Sequence, residues 1–388
     1  MTVLGGARVV TPDGVLDPGW VRVEDGLIVE IGSGRVPDPL PTGDEMLHFR
    51  GGWLVPGFVD MHVHGGGGHT VTTGDPLKAA EALAFHRHHG TTTSLMSLVT
   101  APVDVLERAI RRLAVLVEED RRPDGSVGSI AGIHLEGPFL SIDACGAQDP
   151  TWMCSPDPES VERLVGAGNG AVRMVTVAPE IPGGLAAVEQ LVGAGVVAAV
   201  GHTRAEHEQA AAAFDAGATV ATHLFNCMGA FHHRDPGTVG AALADDRVVA
   251  ELILDGEHVH DDTARIAIGA KSASRVALIT DAIPLAGAGD GEIPLGTTSI
   301  EVRDGVARVS GSGVLAGSTL TLDAAFRRAV AIGATVPEAS EMASTVPATV
   351  LGLDTTRGTI EVGKHADLVV LDDALNVKQV FVFGESLR

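Results

Sequence analysis

Cysteine is scarce: Cys145, Cys154 and Cys227 are the only three in 388 residues, odd in number and without C-x-x-C spacing. That excludes a disulfide framework and a zinc knuckle, and points to a reducing, cytoplasmic setting. Positive charge is scarce as well. Lys and Arg total 27 against 50 Asp and Glu, a formal charge of −23, with lysine only at Lys78, Lys271, Lys364 and Lys378. Nucleic acid needs clustered cations against its phosphates, so it is excluded as a partner. Long apolar runs are missing too, since the longest, Leu191 to Val200, covers about half a membrane span. A membrane association is therefore not expected, and the opening MTVLGGARVVTPDG shows no basic segment leading into an apolar one. Gly and Pro together stay below the roughly 25–30% that marks low complexity, and no internal repeat is visible.

What remains is a chain that is 45% hydrophobic, ample for a large core. Its first 50 or so residues run in short alternating stretches broken by Gly, Pro and Asp, among them WVRVEDG and LIVEIG. The last 30 or so repeat that style in GTIEVGK, ADLVVLDD and VKQVFVFGE. Both ends read as strands, and together they predict a small β-sandwich domain of residues 1–55 and 353–388 around a central domain of residues 56–352.

The central part alternates buried-strand runs with Ala-rich stretches of helical period. Strands are expected at Leu54 to Val59, Thr92 to Leu98, Ser129 to Leu135, Val172 to Val177, Val196 to Val200, Thr219 to Thr222, Val248 to Leu254 and Val276 to Thr280. Helices are expected between them, for example Pro76 to His89 and Val103 to Glu119. Eight near-continuous apolar strands separated by amphipathic helices predict an α/β fold, a (β/α)8 TIM barrel. A doubly wound open sheet is the second choice.

In such a barrel the reacting groups follow the strands. Asp60, His62 and His64 follow the first, Glu136 the third, His202 the fifth, His223 the sixth and Asp281 the eighth. Any one of these is an ordinary hydrogen-bonded residue when met alone. Together they present the imidazole and carboxylate donors of Zn2+ and related ions. The two-residue spacing of His62 and His64 puts both rings on one side of an extended chain, although His258-Val259-His260 repeats the spacing elsewhere. A divalent ion with an open position lowers the pKa of water to about 7, and Asp281 suits the accompanying acid/base work. No G-x-S-x-G elbow and no G-x-G-x-x-G strand-turn-helix accompany it, which disfavours a serine triad and a dinucleotide site. His86, His88 and His89 read as a solvated helix end, and His207 as surface. His232, His233 and Arg234 concentrate cationic donors in a Gly/Pro loop, where a guanidinium suits a phosphate.

These motifs resemble the amidohydrolase superfamily, in which PGFVDMHVHG opens the barrel and an Asp closes it. HLEGPF, GHT, THLFN, DGEHV, ITDA and LAGSTLTL, in that order, resemble its N-acetylglucosamine-6-phosphate deacetylase family along essentially the whole chain. The expected fourth strand, VRMVTVAPE, contains no Lys to be carboxylated, so the resemblance gives Glu136 the bridging role. It implies Glu136, His202 and His223 around one divalent ion and His62 and His64, with Glu136, around a second. Zinc is the first expectation, with iron, manganese or cobalt also compatible. It implies Asp281 as general acid/base for hydrolysis of an N-acetyl group, with sugar and phosphate contacts from Ala147, Asn226, Cys227, Arg234 and His258. Leu315, Ala316 and Gly317 would close over the substrate. A homodimer, with Arg234 reaching the neighbouring site, follows from the same comparison.

The chain departs from that family at two places. Gly146-Ala147-Gln148-Asp149-Pro150 has Gln where His is usual, so the contact there is neutral, and Cys227 replaces a common Ala. The second enzyme reading is an amidohydrolase for another N-acyl hexosamine or a cyclic amide. A metal-binding scaffold without catalysis would be expected to lack a ligand or the acid/base, and all are retained. Two ions and the His232–Arg234 loop would also reconcile an anionic substrate with a charge of −23 by supplying local positive potential.

Overall fold

A computed structural model describes residues 1–36, 45–295 and 298–387. Eight strands, Phe58–Asp60, Thr91–Val99, Ile130–Glu136, Val172–Val177, Val197–Val200, Val220–Ala221, Val249–Leu252 and Val276–Leu278, pair in parallel with their neighbours in chain order. They are barrel strands one to eight below. All seven residues of strand three are buried, as a parallel sheet covered on both faces requires. The barrel closes between its last and first strands: the Thr280 hydroxyl donates to Asp60 Oδ2 (2.6 Å), the Asp281 N–H to the His62 carbonyl (2.8 Å) and the His64 N–H to Ala282 O (2.9 Å). Asp60 thus belongs to this closure, and burial lifts its carboxyl to about 6 against the Thr280 hydrogen bond.

Helices cover the outside. Asp-Pro pairs start two of them, Pro76–His88 and Pro158–Ala167, with the Asp75 and Asp157 carboxylates accepting from the Leu77 and Ser160 N–H groups. Proline there occupies a position whose N–H has no helical partner. Gly237–Ala244 is a further helix that the sequence pattern did not suggest. Six of its eight residues are buried, so it lacks the polar face that makes a helical period visible.

The expected first strand, Leu54 to Val59, is two elements in two sheets. Trp53–Pro56 pairs with Leu368–Leu371 and with residues 8 and 9 of the N-terminal strand, whereas Phe58–Asp60 begins the barrel. Gly57 is the break: a Cβ there would come within 2.2 Å of Thr92 Oγ1, so only glycine lets the chain pass from one sheet to the other. Strands from both ends of the chain form one mixed sheet. Its residues alternate between two cores: Val55, Val369 and Leu371 join the barrel core, while Leu54, Leu368 and Val370 pack with Leu4, Val21, Val23 and Ile28 in a second.

Arg357 ties the C-terminal segment to the barrel. It is 2% exposed and donates to Thr93 Oγ1 (2.6 Å), Gly128 O (2.8 Å) and Val127 O (2.7 Å), with Asp367 at 3.7 Å. Arg357→Met keeps the volume and leaves a buried carboxylate and two carbonyls without a cation. It is expected to lower stability by about 3–5 kcal/mol, read as a fall in urea midpoint at constant slope; a loss under about 1 kcal/mol would show that the clamp matters little.

Between strand eight and the last helices, Gly291–Leu295, Thr298–Arg303 and Val306–Val309 form a three-stranded antiparallel sheet. The pattern of eight strand–helix units does not predict this sheet, although Asp304-Gly305 between EVR and VARV is a hairpin signal. Among the described residues no helix is long and apolar enough to cross a membrane.

Candidate active site

The six ligand and acid/base candidates meet at one end of the barrel. His202 Nε2 and His223 Nε2 each lie 3.0 Å from Glu136 Oε1, and 3.1 Å from one another. His64 Nε2 lies 3.3 Å from Glu136 Oε2, and His62 Nε2 3.5 Å from Oε1, with 3.1 Å between the two rings' Nε2 atoms. The ligand atoms of His62, His64 and Glu136 fall within 4.8 Å of one another, as do those of Glu136, His202 and His223. Asp281 Oδ1 stands 3.2 Å from His64 Nε2 and 3.6 Å from His62 Nε2.

The far sides of the rings settle their tautomers. A carbonyl can only accept, so His202 Nδ1–H donates to Ala144 O (2.9 Å) and His64 Nδ1–H to Ser97 O (3.1 Å). Their Nε2 atoms therefore offer lone pairs toward Glu136 and the neighbouring ring, an arrangement that repels itself unless a cation lies among them. This donor set fits a divalent ion. Without one, protons take its place: burial opposes charging His64, but Asp281 and Glu136 prevail and raise its pKa to about 9, and His62 is also raised well above the ordinary value. Burial likewise opposes ionising Asp281, yet His62 and His64 hold its carboxyl below the usual carboxylate range. An ion entering this cluster must displace those protons, so uptake strengthens as pH rises.

The backbone is strained where these side chains leave the strands. His202, His223 and Asp281 have φ of 47°, 30° and 49°, in the left-handed region that a side chain disfavours. Each follows its strand by two or three residues, and such strain, roughly 1–3 kcal/mol apiece, persists only where surrounding contacts impose it.

Beside the cluster opens a cavity of about 290 Å³ lined by Ala147, Asn226, Cys227, His258, Leu315, Ala316 and Gly317, as well as by Gln148. Its roof is the sheet unforeseen in the sequence, through Ile293, Leu295 and Ile300. Gln148 Oε1 accepts from the Thr100 N–H (2.8 Å), and its buried amide nitrogen has no hydrogen-bond partner among the described residues. His258 is held by Asp255, whose Oδ2 sits 2.6 Å from Nδ1. Burial works against the charged ring, but Asp255 outweighs it and raises its pKa. Arg234 lies elsewhere. It is exposed on the loop with His232 and His233, its nearest recorded partner being His233 Nε2 at 2.9 Å, and it does not line this chain's cavity.

His86 is fully buried rather than solvated: Nε2–H donates to Gly65 O (2.9 Å), and desolvation lowers its pKa to about 4. His134, not singled out from the sequence, lies under the cluster, where Ser97 Oγ accepts the Val63 N–H (3.0 Å) and meets His134 Nδ1 (3.0 Å). Its Nε2–H is then directed to Thr176 Oγ1 (2.9 Å), and burial keeps the ring neutral. Glu251 and Asp255 were also missed; a lone Glu inside the apolar run VVAELIL was the available signal for the first.

The model of the amidohydrolase family matches residues 53–387. The chain is similar to the N-acetylgalactosamine-6-phosphate deacetylase of Escherichia coli O157:H7, at 36% identity over 99% of this chain and 98% of that one. It is 35% identical to the human N-acetylglucosamine-6-phosphate deacetylase, covering 98% and 96% of the two chains. In structure it resembles the N-acetyl-D-glucosamine-6-phosphate deacetylase of Mycobacterium smegmatis, a mutant solved with N-acetyl-D-glucosamine-6-phosphate, with TM-score 0.92, 44% identity and coverage of 99% and 98%. A parallel barrel with imidazoles gathered on a strand-three glutamate, matched along nearly its full length, places this chain in the amidohydrolase family.

Proposed function

We propose that the protein hydrolyses the N-acetyl group of N-acetylglucosamine 6-phosphate, releasing acetate and glucosamine 6-phosphate. The observation that carries this is the convergence of four imidazoles and Asp281 on Glu136 beside a cavity of about 290 Å³, in a chain similar end to end to deacetylases of phosphorylated amino sugars. Glu136, His202 and His223 would hold one divalent ion, and Glu136, His62 and His64 a second. Nitrogen and carboxylate donors suit zinc, and admit iron, manganese or cobalt. When bound, such an ion supplies Lewis acidity that brings the pKa of water to about 7.

The chain's own groups supply the rest. Asp281, ionised at neutral pH, accepts a proton from water at Oδ1 and returns it to the departing amine. His258, kept protonated by Asp255 at Nδ1, donates Nε2–H to the carbonyl oxygen as that oxygen gains charge. Asn226, Cys227, Ala147 and the Leu315–Gly317 segment shape the sugar's place, and the free amide N–H2 of Gln148 is a donor for a hydroxyl or carbonyl. Arg234, exposed and outside its own cavity, is assigned to the phosphate in a neighbouring subunit of a homodimer. Three free thiols accord with a cytoplasmic location.

The similarity to an N-acetylgalactosamine-6-phosphate deacetylase over 99% of the chain favours, as a second reading, the epimeric or another N-acyl hexosamine. Acetate release from both phosphorylated epimers, their unphosphorylated forms and a cyclic imide separates these readings. Turnover confined to phosphorylated substrates is expected. Arg234→Ala should raise KM for them about 10–100-fold, the worth of one charge-assisted contact, and leave poor unphosphorylated substrates unchanged; equal efficiency with and without phosphate would overturn the phosphate assignment.

A further inference from the structure

Glu251 has no part in the chemistry above, yet it is a carboxylate with no solvent exposure, set within barrel strand seven among apolar neighbours. Its Oε2 lies 3.3 Å from His62 Nδ1 and accepts the His223 backbone N–H at 3.2 Å, while Oε1 has no hydrogen-bond partner among the described residues. A half-satisfied buried carboxylate is costly unless it is needed for something.

His62 is what it touches. A carboxylate at Nδ1 keeps a hydrogen on that nitrogen, so Nε2, which faces His64 Nε2 (3.1 Å) and Glu136 Oε1 (3.5 Å), is the nitrogen left to an ion. The other rings of the cluster are backed differently. His64 and His202 donate to the neutral carbonyls of Ser97 and Ala144, and His223 Nδ1 has no hydrogen-bond partner among the described residues. Among the described residues, then, His62 is the one cluster histidine whose outer nitrogen is backed by a charged group. Backing by a carboxylate makes the opposite nitrogen more basic and fixes the ring, and loss of such a partner weakens metal affinity about 10–100-fold.

We infer that Glu251 is a positioning residue that governs filling of the His62–His64–Glu136 ion site, and that the Glu136–His202–His223 site depends on it little. This rests on the two-ion reading above. The asymmetry has a chemical consequence: the site nearer Asp281 Oδ1 is the one whose affinity is set by a buried charge.

The test is calorimetric titration of the metal-free protein with Zn2+ under a competing chelator, together with melting of the metal-free forms. Wild type is expected to take two ions per chain. Glu251→Gln keeps an acceptor oxygen and removes the charge; it should bind the first ion within about threefold of wild type and the second about 10–100-fold more weakly. The metal-free variant should melt below the wild-type temperature, because the proton-bearing His62 loses its carboxylate partner. A merely structural role would instead weaken both ions alike. Glu251→Asp, with the charge kept but drawn back from Nδ1, should weaken the second ion severalfold and serves if Gln is not tolerated. Two ions bound with wild-type affinities by these variants would overturn the role of Glu251 and leave the two-ion reading standing. A single ion in wild type would overturn that reading and this inference together.

Discussion

Asp281→Asn should lower kcat about 10³-fold while metal content and KM change little. The side chains are nearly isosteric, and Asn is among the residues most at ease at the φ of 49° that this position adopts, so the fold is not at issue. What disappears is a proton acceptor. The amide offers no site basic enough to take a proton from water at Oδ1, nor one to give the leaving amine, and a placed acid/base of this kind contributes about 10²–10⁴ in rate. A thousandfold is about 4 kcal/mol at the transition state. The pH profile should change too. Asp281 acts as a base only when ionised, and His62 and His64 hold its carboxyl below the usual carboxylate range against burial; wild-type activity is therefore lost as pH falls through that depressed value. The variant's residual rate should lack this acid limb. Near-normal turnover with metal fully bound would remove Asp281 from the mechanism.

The barrel was legible because a parallel sheet buried on both faces leaves continuous apolar runs, as in Ile130–Glu136, and because Asp-Pro pairs mark helix starts at Asp75 and Asp157. Ligand candidates were legible because they all follow strands, where apolar runs give way to His, Glu or Asp. Residues acting through others left a weaker trace. Glu251 lies inside its strand rather than after it, and Asp255 reaches His258 across a turn that no periodicity marks. His86 was hidden for a related reason: it completes the buried stripe Ala79, Ala82 and Leu83, but apolar residues such as the exposed Leu77 also lie on the outer side of that helix, so the inward face does not stand out in the sequence. The cavity roof at 291–295 and 298–309 left little trace because its short antiparallel strands, Asp-Gly turn apart, break the alternation of strand and helix that marks the barrel. Arg234 illustrates the opposite case, a residue named from the sequence whose place lies outside the cavity of its own chain.

Glu136→Gln is expected to have the largest effect of any single substitution in the site, because Glu136 is common to both groups of ligands. Its Oε1 is 3.0 Å from His202 and His223 and its Oε2 is 3.3 Å from His64, so loss of one negative charge weakens both ion sites at once. His202→Asn, by comparison, disturbs only the set of which His202 is a member. Lewis acidity supplies several kcal/mol of the rate, so Glu136→Gln should fall about 10⁴-fold or more in acetate release, with bound metal dropping toward zero by elemental analysis. Exhaustive chelation of wild type should reproduce that loss, and added Zn2+, Mn2+ or Co2+ should reverse it in wild type but not in the variant. Chelation should also be quicker at lower pH. With His64 raised to about 9 and His62 raised as well by Glu136 and Asp281, protons compete for the same nitrogens, and their competition grows as pH falls. Full activity in a verified metal-free preparation would show that these histidines serve the fold alone, and retention of two tightly held ions by Glu136→Gln would show that the glutamate does not join the two sites.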